Sequence, residues 1–536
     1  MRGAKMMQWS ALAAAVALAA TACGGGSGDD GNASGKPAGY VSMFNGEPQH
    51  PLMPSNTNEK FGGYVIDALF TGLVGYDGKG ELKNENAESV KSKDNKTWTV
   101  KLKKGWKFHD GTDVTAESYV KAWNWMANVE NKQANSYWFG DIKGYEDVHP
   151  EKGKPKKDEM EGLKVVDDHT FTIELAKPVP YFEYKLGYKT FTPLPESFYK
   201  DPKAFGQKPV GNGPYKFQKW THNKLIQVKA VDSYKGSNKA KNKGVQFKTY
   251  SKLESAYQDA LSGNLDLVDG VGPKDLPKRK SDFGDRALDV PYAGTQSIVP
   301  AVYSKPFKDV DPKVIQGLSM AIDRETITKT VLQGTRIPSK AFTPPQVKGY
   351  QKLDTDVLTY NPKKAKKYIK DGGGIPGNKI WIQYNADGGH KEWVTAVCNS
   401  ITKATGVKCV GDSKPDFQTD LEARQANKVK GTYRGGWLAD YPLNVNFMQD
   451  LYKTGASTNY GRFSDKKVDE LFEKGDHADS LDAAVKDYQA AEKELLNKMP
   501  AIPLWDYAAN IVHGEGIDDV KVGFDGNVLL TDITVK

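Results

Sequence analysis

Residues 431–450 read GTYRGGWLADYPLNVNFMQD, and they place Arg434 and Asp440 beside aromatic residues in a run with little other charge. Arg434 offers a planar fork of donors that suits a carboxylate. Asp440 accepts only, which suits an ammonium. Trp437 and Tyr441 add apolar walls with polar edges. Together the four side chains suit a zwitterion, and a peptide carries both charges. The same residues also fit a plainer reading, a buried strand ending in an ion-paired aspartate.

Arg434-Gly435-Gly436-Trp437-Leu438-Ala439-Asp440-Tyr441 resembles the R-x-G-W-x-A-D-Y segment of the family 5 extracellular solute-binding proteins, the oligopeptide- and dipeptide-binding proteins of bacterial ABC importers. Outward from it, Trp98-Thr99-Val100 and Lys104 to Gly111, followed by Val114-Thr115-Ala116, are similar to the family's W-T-F-x-L-R-x-x-x-K-W-S-D-G-x-x-V-T-A signature. Gly211-Asn212-Gly213-Pro214-Tyr215 resembles its G-x-G-P-Y, and Ala321-Ile322-Asp323-Arg324 and Met499-Pro500-Ala501-Ile502-Pro503-Leu504 also match. The blocks stand in the family's order from about residue 40 onward.

The resemblance implies an α/β, periplasmic-binding-protein-like fold: two lobes with a hinge, plus an extra inserted subdomain. It implies a monomer that encloses its ligand by hinge closure, uses no cofactor, performs no chemistry, and docks when loaded on the permease and ATPase subunits of an ABC importer. Carried over by position, Asp440 pairs with a peptide's α-ammonium and Arg434 with its carboxylate, while the backbone pairs with the extended ligand. One departure stands out. Peptide binders often continue D-Y-x-D-P or D-Y-N-E-P, whereas here Asp440-Tyr441 is followed by Pro442-Leu443-Asn444, without the second acid. Relatives with this fold also take nickel complexes, oligosaccharides or other solutes, so an oligosaccharide stacked on Trp-rich walls is the nearest rival ligand. A secreted hydrolase is a remote one.

A chain of 536 residues exceeds one ordinary core, so two or three domains are expected. Its 38% hydrophobic and 11% aromatic content is enough to bury cores. The net charge of +8 comes from 75 basic and 67 acidic residues spread along the chain. No basic stripe with interleaved aromatics marks a nucleic-acid surface.

Residues 1–22 read as a signal peptide: Arg2 and Lys5, then the apolar ALAAAVALAA of residues 11–20, then small residues. Ala20-Thr21-Ala22-Cys23 resembles a lipobox, which makes Cys23 a lipidation site, with Ala at the usual Leu position. An ordinary cleaved signal is the alternative. Residues 23–39 then form a flexible tether, and the protein is expected outside the cytoplasm, lipid-anchored to the outer face of the cell membrane. With Cys23 lipidated, Cys398 and Cys409 form an even pair in an oxidising setting, on a helix expected at Asp387–Thr405 and the strand after it, so they are expected to form a disulfide. No His stands at zinc spacing from them.

The expected division is 40–76 for the first part of lobe I, 77–195 for the inserted subdomain, 196–298 for the rest of lobe I, 299–505 for lobe II, and 506–536 returning to lobe I. A helix is expected at Lys60–Leu73. Thr115 caps a helix whose Tyr119, Trp123 and Met126 face a core. Tyr137 and Trp138 either pack in that core or line a ligand cleft. No H-E-x-x-H, G-x-S-x-G or P-loop occurs, and the eight His are scattered, so catalytic and metal sites are not expected. Gly372, Gly374 and Gly377 satisfy G-x-G-x-x-G, but after a helix and before a strand, the reverse of a dinucleotide site.

Overall fold

The structure, a computed structural model, describes residues 36–536, so the expected signal peptide, Cys23 and most of the tether lie outside the described residues. Its backbone is organised by an eleven-stranded mixed sheet. In chain order the strands are β1 (Tyr40–Asn45), β2 (Tyr215–Thr221), β3 (Leu225–Ala230), β4 (Gly244–Thr249), β5 (Leu267–Val268), β6 (Ala287–Pro300), β7 (Arg336–Pro338), β8 (Lys379–Asn385), β9 (Lys408–Lys414), β10 (Thr432–Leu438) and β11 (Ile502–His513). Across the sheet the order is β9-β8-β10-β6-β11-β5-β1-β4-β3-β2, with β7 paired to β11 as well.

β1 is buried at all six residues, as a strand covered on both faces must be, and it pairs in parallel with β4 and β5. The helix Leu253–Leu261 connects β4 to β5, giving a βαβ unit. A separate four-stranded antiparallel sheet, built from residues 87–92, 97–102, 163–167 and 170–174, lies inside the expected insertion. Thr115 caps the helix Ala116–Ala127 in a reciprocal bond pattern with Ser118, and Tyr119, Trp123 and Met126 are fully buried beneath it.

The lobe limits expected at 298/299 and 505/506 fall inside two strands. β6 and β11 run antiparallel beside each other, and their pairing breaks only between Pro291 and Thr295 and again after Gln296. Sequence periodicity gives no strand over residues 287–298, because Pro291 and Gly294 interrupt the alternation at the irregularity.

Two helices are shorter than expected, each for a local reason. The first ends at Leu69 rather than Leu73, because the Gly211-Asn212-Gly213 turn occupies the space beyond it. Gly213 N–H donates to Leu69 O at 2.8 Å, Asn212 bonds both backbone groups of Thr71 at 2.9 Å, and a Cβ on Gly211 would collide with the Leu69 carbonyl. The Cys-bearing helix starts at Lys391 rather than Asp387, since Gly389 sits at φ +66° and breaks the turn before it.

Cys398 on that helix and Cys409 on β9 are disulfide-bonded, as expected, with their Cα atoms 4.7 Å apart. Closing so short a loop restricts the unfolded chain, by roughly 3 kcal/mol in the chain-entropy model. Cys398→Ser/Cys409→Ser is therefore expected to unfold at a clearly lower urea concentration than the oxidised protein, and an unchanged midpoint would contradict this.

Candidate functional site

Two cavities of about 620 and 660 Å³ flank the end of β10. The first lies between segments of the β1 side of the sheet, around residues 58–77, 187–192 and 523–531, and Arg336 with Leu438 to Asp440 on the other side. The second lies between Tyr137, Trp138, Val179 and Tyr181 and the segment from Trp437 to Thr458. Asp440 lines both cavities and, among the described residues, is the only one that does.

The chain turns immediately after β10, and Asn446 fixes the turn. Its Oδ1 accepts from the Asp440 N–H at 2.9 Å and from the Trp437 indole at 3.2 Å. Its Nδ2 donates to Asp440 at 3.2 Å and to Asp450 at 3.1 Å. One fully buried amide thus aims two carboxylates, and the second acid missing after Tyr441 in the sequence is present in space as Asp450. Burial pushes the Asp440 carboxyl from its usual 3.8 up to about 6, although the Asn446 bond and Lys185 and Lys189 pull it back. Burial also raises Asp450 to about 6, helped by the charge of Asp440 and opposed by Lys185. Neither carboxylate has a cation within ion-pair distance among the described residues, so the ion-paired alternative for Asp440 does not hold. Asp440 keeps some contact with cleft water, so a ligand seated on it would complete its desolvation.

A carboxyl whose folded pKa exceeds its unfolded value stabilises the fold below the unfolded value and loses that contribution as pH rises through the folded one. For these two acids the loss spans about pH 4 to 6. At neutral pH the ligand-free protein therefore carries the cost of two poorly compensated anions.

The other expected site residues divide. Tyr441 is buried and stacks on Tyr181 with centroids 5.8 Å apart, and Trp138 meets it edge-on at 6.3 Å. Trp138 also stacks on Tyr188 at 4.0 Å, while Tyr137 is 62% exposed at the mouth of the same cavity. Trp138 packs in the hydrophobic core and also lines the second cavity, whereas Tyr137 lines that cavity without joining the core. Trp437 lines the second cavity too. Arg434 lines neither. Its Nε donates to Asn385 Oδ1 at 3.1 Å and its guanidinium lies 5.4 Å from the Phe417 ring. It does fold back along the strand, since a Cβ on Gly436 would stand 3.2 Å from its Nη1. β10 ends at Leu438, two residues beyond Gly436, and the turn that follows carries the chain on to Asp440.

The family model for bacterial extracellular solute-binding proteins, family 5, matches residues 81–459, well over half of the chain. The chain belongs to this family. It is accordingly a binding protein and not an enzyme. The oligopeptide-binding protein OppA of Bacillus subtilis is 27% identical over 97% of both chains. OppA of Salmonella typhimurium is 29% identical over 87% of this chain and 86% of its own. Among solved structures, the murein tripeptide binding protein MppA in its unliganded open form superposes with a TM-score of 0.81 at 25% identity, covering 92% of this chain and 97% of that one. The two-lobed fold with its inserted subdomain is the fold of these family 5 proteins. Among the described residues no helix is long and apolar enough to cross a membrane, and no group of three or more His, Cys, Asp or Glu is placed to hold a metal ion.

Asn446, Asp450, Lys185 and Tyr188 were not legible as site residues in the sequence. Asn446 and Asp450 stand four apart within the stretch already singled out, on two successive short helical segments, Asn444–Phe447 and Gln449–Tyr452. Residues four apart face each other reliably only on a continuous helix, and the break at Met448 removes that signal.

Proposed function

We propose that this protein captures short peptides between its lobes and delivers them to an ABC importer in the membrane. The observation that supports this most directly is Asp440: an anion with no cationic partner, at the junction of two cavities, held by a buried amide. Such a group wants a ligand ammonium. The resemblance assigns the ligand's carboxylate to Arg434, whose side chain extends over Gly436 toward the Asp440 end of the strand. The names of the relatives, which bind oligopeptides, dipeptides and murein peptides, support the same reading.

Calorimetry with tri- and tetrapeptides, their C-terminal amides and oligosaccharides of similar size tests this. Free peptides are expected to bind, and amides more weakly. Binding of sugars without peptides would replace the reading. Native mass spectrometry of protein purified without refolding gives the ligand it already carries.

We read Cys23 as the lipid attachment point that holds the protein at the outer face of the membrane. Cys23→Ser is expected to move it to the soluble fraction, and a variant that stays with washed membranes would overturn this.

A further inference from the structure

The charges that line the second cavity do not cancel. Lys185 donates to Asp141. Lys453 lies 3.4 Å from Asp476, which also accepts from Gln449 at 2.7 Å and from the Tyr488 hydroxyl at 2.8 Å. Lys177 is exposed at the rim. That leaves Asp440 and Asp450, whose one shared donor is the Asn446 amide. A single α-ammonium can neutralise one of them. The other would remain a carboxylate in a closed cleft, at a cost that an asparagine in its place would avoid.

A second, independent feature of the same wall points to a ligand. Trp138 is 5% exposed and lines the cavity, yet its indole N–H has no acceptor among the described residues. A buried donor left without a partner costs free energy until some oxygen reaches it.

We propose that the second cavity receives the side chain of the ligand's first residue and that Asp450 selects a cationic end there, so that the preferred ligands are peptides beginning with a lysine- or arginine-like residue. This rests on the peptide reading, in which Asp440 holds the α-ammonium. Because both carboxylates bond the same amide, they stand within two hydrogen-bond lengths of one another, a gap the four-carbon stem of lysine spans. The aromatic faces of Trp138, Tyr181 and Tyr441 flank the path of that stem, and their negative faces favour a cation. Lys185 is held by Asp141 and so leaves Asp450 free for a ligand's cation.

The test compares Lys-Ala-Ala with norleucine-Ala-Ala, equal in length and lacking only the side-chain charge, by calorimetry at pH 7.5. The wild type is expected to prefer the lysine peptide by at least about tenfold, in keeping with coupling between close charge pairs. In Asp450→Asn the ratio of the two affinities is expected to fall to within about twofold, and in Asp450→Glu to remain above it. Equal affinity in the wild type, or a preference that survives Asp450→Asn, would overturn the proposal and leave the peptide reading standing. Failure of every free peptide to bind would overturn both.

Discussion

Asp440→Asn is expected to weaken binding of an unmodified peptide by about 30-fold or more at pH 7.5, and at the same time to make the ligand-free protein more stable. The first effect follows from desolvation. A peptide enclosed between lobes loses the water around its N-terminus, and removing one partner of a buried charge pair costs on the order of 2–5 kcal/mol, at 1.4 kcal/mol per tenfold. An N-acetylated peptide, with no ammonium to place, is expected to bind the wild type poorly and to lose little more in the variant. The second effect follows from the raised carboxyl, which sits near 6 in the ligand-free protein. Asn keeps the shape and removes the anion, so the gain is expected to be about 1–2 kcal/mol at pH 7.5, less than the ~3 kcal/mol of a full two-unit shift because cleft water screens the charge. That gain is expected to vanish near pH 4, where the wild-type carboxyl is protonated as well. Wild-type affinity for the free peptide is likewise expected to decline as pH drops below about 6. Calorimetry with the free and acetylated peptides, and thermal unfolding of both proteins across this pH range, measure the two effects. An aspartate that merely held the fold together would give the opposite sign in the second.

Arg324→Met is expected to destabilise the fold by about 2–4 kcal/mol, the cost of leaving buried carbonyls without their donors. Arg324 is 3% exposed and has no carboxylate within ion-pair distance among the described residues. Its guanidinium instead donates to Pro503 O at 2.9 and 2.7 Å, to Ser319 O at 3.0 Å and to Ser319 Oγ at 2.8 Å. Met fills a similar volume, but the Pro503 and Ser319 carbonyls would stay buried without these donors, at about 1–3 kcal/mol each. Arg324→Lys is not expected to rescue, because a single ammonium cannot serve both sides of the fork. Urea unfolding followed by tryptophan fluorescence measures the change. A midpoint within error of the wild type would show that these carbonyls find other donors.

These residues also mark how much the sequence carried. Ala321 to Arg324 and Met499 to Leu504 stood out as separate family blocks, and the structure joins them through the Arg324–Pro503 bonds. The Gly-Asn-Gly-Pro-Tyr block was likewise visible as a motif, and its role, stopping a helix by backbone contact with Leu69, was not. Most helices and strands were legible because each carries its own periodicity and caps. The long strand β6 was hidden because Pro291 and Gly294 break the alternation where it deviates from β11. At the site, Asp440 was legible from the residues around it. Asp450 was not, because its importance depends on Asn446, whose two-sided bonding no spacing announces.

The position of β11 in the sheet has a bearing on how the chain is made. β11 lies between β6 and β5, so among the described residues it is the only link between the strands β9-β8-β10-β6 and the strands β5-β1-β4-β3-β2. Its residues, 502–513, are synthesised after every other strand of that sheet. Until they emerge the sheet is two halves, each with an edge of unpaired backbone groups next to the gap. A nascent chain therefore cannot seal its principal core early, however long its first five hundred residues have been available.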